Sequence, residues 1–191
     1  MALLTEIQIA EMGFAKVGKD VRISNRASFY NCANITIGDH VRIDDFCVLS
    51  AGAGGIFLGS YIHIAVYTSL QGSERIELSD FCNISSRVAI YSRSDDYSGE
   101  FMTNPMVPAQ FTGGSAAPVT LGRHVIVGSG SVILPGANCE DGVAIGALSL
   151  VNKPCEAFGI YAGNPARRIK DRKRNLLELE KQFAKNEHAN P

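Results

Sequence analysis

The sequence predicts an all-β fold: a single domain of 191 residues built on a parallel β-helix. Three observations carry this. Aliphatic residues recur every six positions along most of the chain. The rhythm breaks once, after Ile90, and resumes in register at Leu121. A period of six belongs neither to an α-helix, near 3.6, nor to a simple strand, at 2. It fits a short strand and a turn, repeated, with three strands and about eighteen residues to each coil.

Residues 1–16 are read as an N-terminal cap. Thr5 is a plausible N-cap, and Ile7, Ile9 and Met12 give a short helix within Leu3 to Phe14 an apolar side. The β-helix occupies 17–166. Its marked residues are Val17, Ile23 and Phe29, then Ile37, Ile43 and Leu49, then Leu58, Ile64 and Leu70, then Leu78, Ile84 and Ile90. After the interruption come Leu121, Val127, Ile133, Cys139, Ile145, Val151 and Ala157. Residues two places earlier, such as Ile35, Val41, Cys47, Ile62, Val88 and Val125, are apolar too, so alternation sends both to the inside. Gly18, Gly38, Gly59, Gly122, Gly128 and Gly146 follow marked residues and are expected at corners, where positive φ or close approach is needed. Residues 92–118 form a loop extruded from one corner. Residues 167–191 are a C-terminal helix and tail; Leu176, Leu179 and Phe183 give an amphipathic helix from Ile169 to about Glu187, separated from the solenoid by Pro165. A cover at each end hides the open strand edges of the terminal coils.

Composition narrows the function. Apolar residues make up 46% and charged residues 19%, the balance of a globular rather than a disordered chain. A net charge of −1 speaks against general nucleic-acid binding. No apolar run reaches the length of a membrane span, and the first residues carry Glu6 and Glu11 rather than a basic signal region. The five cysteines, Cys32, Cys47, Cys82, Cys139 and Cys155, form no CxxC pair and read as reduced core thiols of a cytoplasmic protein. "GSGSVILPG" lacks the third glycine and the strand–loop–helix setting of a dinucleotide fingerprint.

"ITIGDHVRIDDFCVLS", "VTLGRHVIVGSGSVILPG" and "GIYAGNPARRIK" resemble the hexapeptide-repeat acyltransferases of left-handed β-helix fold over about residues 17 to 170. The last motif is the most specific. The resemblance implies a left-handed triangular prism, a homotrimer, and acyl-CoA in a groove between two subunits. "RIDDFCVLSAG", "SSRVAIYS…DDYSGEFMTNP" and "GALSLVNK" most resemble enzymes that N-acetylate a dTDP-linked 4-amino-4,6-dideoxy sugar, implying acetyl-CoA as co-substrate, a nucleotide-linked sugar as acceptor, no metal, and a place in bacterial O-antigen or surface polysaccharide synthesis.

Acyl transfer from a thioester needs a positioned acceptor and a route for one proton. Many hexapeptide sugar acetyltransferases keep a catalytic His a few residues past the coil that ends here at Ile90; in "IYSRSDDYSG" Asp95 stands in its place. An unperturbed Asp is a weak base at neutral pH, so alone it suits an amine better than a hydroxyl. His63 precedes an inward Ile64, points outward and is the nearest alternative base; a structural surface role is the competing reading. Asp95 either orients His63 or binds the acceptor, or else Asp95 and Asp96 cap a turn before Gly99. His40 and His124 hold equivalent corners facing solvent, with His124 also able to line the acyl-CoA groove; His188 lies in the charged tail. A loop of this length is usually functional, and Tyr91, Arg93, Asp96, Tyr97, Glu100 and Asn104 are its acceptor-binding candidates. "RRIKDRKR" carries six basic residues in eight; Arg167, Arg168 and Lys170, with Lys153, are candidates for the CoA phosphates, against a solvated helix face. By the resemblance, Gly128, Ser129 and Ala147 hold the pantetheine arm.

Other classes stay open at this stage. One is an O-acetyltransferase acting on a polysaccharide or lipid-linked sugar. A zinc enzyme of the same fold needs three converging His, and His40, His63 and His124 lack its close pair. A non-catalytic scaffold is the third.

Overall fold

The structure, a computed structural model, describes residues 2–189, with side chains to residue 186. The backbone winds through about seven coils into a left-handed prism with three parallel faces. The first face stacks Lys16–Val17, Ile35–Ile37, Ile56–Leu58, Ile76–Leu78 and Val119–Leu121, and single bridges carry it on to Cys139 and Cys155. The second stacks Arg22–Ile23, Arg42–Ile43, His63–Ile64, Asn83–Ile84, Ile126–Val127, Ala144–Ile145, Gly159–Ala162 and Arg167–Asp171. The third runs from Ser28–Tyr30 through Val48–Ala51, Ser69–Gly72, Ala89–Tyr91 and Val132–Ile133 to Leu150–Val151.

The six-residue rhythm follows from this winding. One inward residue per face stacks directly on its counterpart in the next coil: Ile23 on Ile43, Ile64, Ile84, Val127 and Ile145. Each of these is buried, and burying such a side chain is worth about 1.5–3 kcal/mol. Ile84 pairs with Val127 as directly as with Ile64, so the intervening loop leaves the register intact.

Two expectations about the strands need correcting. The rhythm does not run through Ala157: Cys155 is the inward residue bridged to Cys139, and Tyr161 pairs with Ile145, because the last coil is two residues short. "RRIKD" is not helical; Arg167–Asp171 is a strand running antiparallel to Gly159–Ala162, and the C-terminal helix α2 is Asn175–Ala189. Strand pairing continues there because the antiparallel strand covers the open edge of the last coil. The corner glycines serve close approach, not positive φ. A Cβ on Gly38 would sit 2.4 Å from the Gly59 carbonyl oxygen.

Positive φ falls instead on bulky residues. One corner, between the first and second faces, stacks His40, Tyr61, Phe81 and His124 with centroids 4.7–5.1 Å apart. Helix α2 lies over Tyr61, Phe81 and His124 of this column. Phe183 meets Tyr61 edge-on at 5.1 Å, and Glu180 binds the His124 Nε2 at 2.6 Å. His124 is therefore covered, not facing solvent. The His188 side chain lies outside the described residues. At the other end α1, Glu6–Glu11, is shorter than expected: Thr5 and Gln8 form a reciprocal capping box, and Gly13 in the left-handed region follows its end.

Candidate active site

His63 lies on the second face, flanked in register by Arg42 and Asn83. Its Nε2 is 2.8 Å from Asp44 Oδ2, and the other Asp44 oxygen accepts from Arg42 Nε at 2.8 Å. Partial burial opposes ionisation of Asp44, but the hydrogen bonds from His63 and Arg42 outweigh it and hold the carboxyl below its usual range. A carboxylate on Nε2 puts the proton there and leaves the Nδ1 lone pair as acceptor. Among the described residues Nδ1 has no hydrogen-bond partner. The sequence reading missed Asp44. The signal was the register: Asp44 follows Ile43, which pairs with Ile64, so it lies diagonally across from His63.

The extruded loop leaves the third face after Tyr91, at the corner shared with the first face. Ser92 is buried there, its hydroxyl donating to the Glu74 carbonyl at 2.7 Å, and Gly72 lies flat against it. The loop then opens as an antiparallel hairpin, Arg93–Asp95 against Gly114–Ala116. Asp95 is exposed, and among the described residues its carboxylate has no hydrogen bond or ion pair. Asp96 is the turn cap: it accepts from the Ser98 hydroxyl at 2.8 Å and from the Gly99 N–H at 2.9 Å, and with the Ser98 bonds foremost its carboxyl is held below the usual range. Asn104 is likewise engaged by the Met106 N–H. Tyr91 is half-buried at the loop's root; Arg93, Tyr97 and Glu100 are exposed. His63 and Asp95 thus sit on different sides of one prism. The structure joins His63 to Asp44, not to Asp95.

The cofactor candidates fall into two groups. Gly128, Ser129 and Ala147 share the corner between the second and third faces, where Ser129 accepts from the Leu148 N–H and a Cβ on Gly128 would meet the Ala147 nitrogen at 2.5 Å. Bare backbone along that edge fits an extended amide-bearing arm. Lys153, Arg167 and Arg168 line a cavity of about 310 Å³ at the C-terminal end, with Val151, Cys155 and Tyr161 beneath. Arg168 is tied to Asp171 and Glu156. Lys170 pairs with Ile160 in the end strand and is exposed. Cationic end and bare edge together fit CoA. Among the described residues no three His, Cys, Asp or Glu side chains gather as a metal site.

No protein-family model matches the chain. The chain is 55% identical to a dTDP-4-amino-4,6-dideoxy-D-glucose acyltransferase of Escherichia coli, over 96% of this chain and 95% of that one. The chain belongs to that acyltransferase family. This acyltransferase is also similar to AntD, an N-acyltransferase from Bacillus cereus solved with dTDP and 3-hydroxybutyryl-CoA, at 44% identity and a TM-score of 0.94 over 97% of this chain and 98% of AntD. An AntD variant with one serine replaced by alanine, solved with dTDP-4-amino-4,6-dideoxyglucose and coenzyme A, gives 0.92 at 44% identity, covering 97% and 98%.

Proposed function

We propose that the protein transfers an acyl group, acetyl in the first instance, from acyl-CoA to the 4-amino group of dTDP-4-amino-4,6-dideoxyglucose, in the cytoplasm, for bacterial O-antigen or related lipopolysaccharide. The observation that carries this is the identity to the E. coli enzyme along nearly the whole chain, with an oriented histidine, a bare-backbone edge and a cationic end pocket on one scaffold. Five free cysteines accord with a reducing compartment.

Acyl-CoA brings an activated carbonyl and a thiolate leaving group. Lys153, Arg167, Arg168 and Lys170 hold its phosphates, and the edge at Gly128, Ser129 and Ala147 orients its arm. The acceptor arrives as an ammonium. His63 Nδ1 takes one ammonium proton, and Asp44 holds the imidazole in the required tautomer and stabilises the imidazolium. The freed nitrogen bonds to the carbonyl carbon as the C–S bond breaks, and its second proton leaves with the thiolate. His63 then returns its own proton to solvent. Asp95, with no side-chain partner among the described residues, binds the acceptor. Because it projects from the opposite side of the prism, it meets His63 across a subunit boundary, in a homotrimer.

The test is incubation with dTDP-4-amino-4,6-dideoxyglucose and acetyl-CoA or 3-hydroxybutyryl-CoA, following released thiol and product mass. An amide-linked product that withstands hydroxylamine is expected. Transfer only to hydroxyls would overturn the reading in favour of an O-acetyltransferase.

A further inference from the structure

The two aromatic corners of the second face differ in one respect. His40, Tyr61, Phe81 and His124 take left-handed backbone, and α2 roofs the last three. The other corner, beside Asp44, carries Phe46, Tyr67 and Arg87 with φ of 60°, 63° and 60°. Gly130 takes the same position in the next coil without strain, at φ 72°. The rings of Phe46 and Tyr67 stack at 5.0 Å, yet remain 43% and 52% exposed. Arg26 lies over the outer face of Phe46 at 5.6 Å, and Arg87 lies 5.8 Å from the Tyr67 ring. Among the described residues neither guanidinium has a carboxylate partner. The nearby acids are engaged: Asp44 by Arg42 and His63, Asp45 by the Ser24 hydroxyl.

We propose that this open column is the acceptor subsite: Arg26 takes the diphosphate of the sugar nucleotide, and the exposed rims of Phe46 and Tyr67 take the 6-deoxy face of its hexose. The inference rests on the function proposed above and adds where its acceptor sits. A guanidinium with no carboxylate partner among the described residues keeps N–H donors for an anion, and its planar fork can grip a diphosphate in two places. A 6-deoxy sugar offers a methyl where other hexoses offer a hydroxyl, and an aromatic rim favours the methyl. The levels also fit. Coils are spaced by about 4.8 Å, near the span of one hexose. A diphosphate beside Phe46 therefore sets the sugar against Tyr67, in the coil that carries His63. The C-terminal continuation of this edge is the Gly128, Ser129 and Ala147 backbone assigned to acyl-CoA, so the two substrates meet end to end.

The experiment is calorimetric titration of the folded protein with dTDP, dTMP and CoA. Arg26→Ala should weaken dTDP at least tenfold and leave CoA within twofold. It should also erase the preference for dTDP over dTMP, and Arg26→Lys should fall between. Phe46→Ala and Tyr67→Ala should lower the kcat/KM preference for the 6-deoxy acceptor over its 6-hydroxy counterpart by roughly threefold. Unchanged dTDP binding in Arg26→Ala, while wild type acylates the amino sugar, overturns this subsite and spares the function. Wild type that does not acylate the amino sugar overturns the function itself. A change of oligomeric state in Arg26→Ala, read by light scattering, assigns the edge to a second copy of the chain and also overturns the subsite.

Discussion

In the proposed mechanism His63 acts as a base only in the tautomer that Asp44 imposes. Removing the imidazole leaves an acceptor that is mostly protonated at neutral pH and has lost its positioned proton acceptor. His63→Ala should therefore lower kcat about 10²-fold or more, with KM for acyl-CoA within twofold; steady-state kinetics with each substrate varied checks it, and an unchanged kcat removes His63 from the chemistry. Asp95 is a different kind of residue. It is exposed and its carboxylate holds nothing among the described residues, so Asp95→Asn should leave the melting temperature unmoved and change only acceptor KM or kcat. A marked loss of thermal stability would make it a turn-capping residue, the role Asp96 already fills. The Cys47 and Cys82 thiols take no part: burial pushes Cys47 up to about 11 and Cys82 to about 12, so neither offers a thiolate at neutral pH.

At the scale of elements, α2 is held to the prism by few groups, and one of them titrates. Hydrogen bonds from His124 and Arg123 hold Glu180 below its ordinary value of 4.5. A carboxyl lowered in the folded state contributes stability above that value and loses it as pH falls through the folded pKa. Melting temperature should therefore drop below about pH 4.5 more steeply in wild type than in Glu180→Gln; parallel curves would show that the helix docks through its apolar residues, Leu176, Leu179 and Phe183, without help from Glu180. The coil corners make a second demand. A methyl on Gly38 meets the Gly59 carbonyl at 2.4 Å, against backbone that cannot yield. Gly38→Ala should cost about 1–3 kcal/mol, read as a lower melting temperature with far-ultraviolet dichroism retained. The rhythm of the coils was legible in the sequence because one inward aliphatic per face is a strict geometric condition. The short last coil was not, since nothing in "PCEAFGIYAG" distinguishes Ala157 from Cys155 without the neighbouring strand. The end strand was misread because "RRIKDRKR" has the composition of a helix face, and only the open edge of Gly159–Ala162 makes it a strand.

At the scale of the molecule, the candidate residues were each visible in the sequence, but their grouping was not. Spacing put His63 and Asp95 on neighbouring coils, close enough to pair on paper. In three dimensions His63 belongs to the second face, while Asp95 leaves by the far end of the third. A site using both must draw them from two chains, and the loop's exposed Tyr97, Phe101, Met102 and Met106 give it apolar surface with which to lie on a neighbour. The consequence is countable. In the proposed homotrimer, co-expressed His63→Ala and Asp95→Ala chains, each inactive alone, should assemble at random into mixed trimers. Each boundary pairs the histidine of one chain with the aspartate of the next, and each has one chance in four of being intact. About a quarter of wild-type activity should return. A site contained within one chain would regain none, since every chain lacks one of the two residues. Separately purified variants mixed without subunit exchange supply the baseline, and recovery no greater than that baseline would place both residues in a single-chain site.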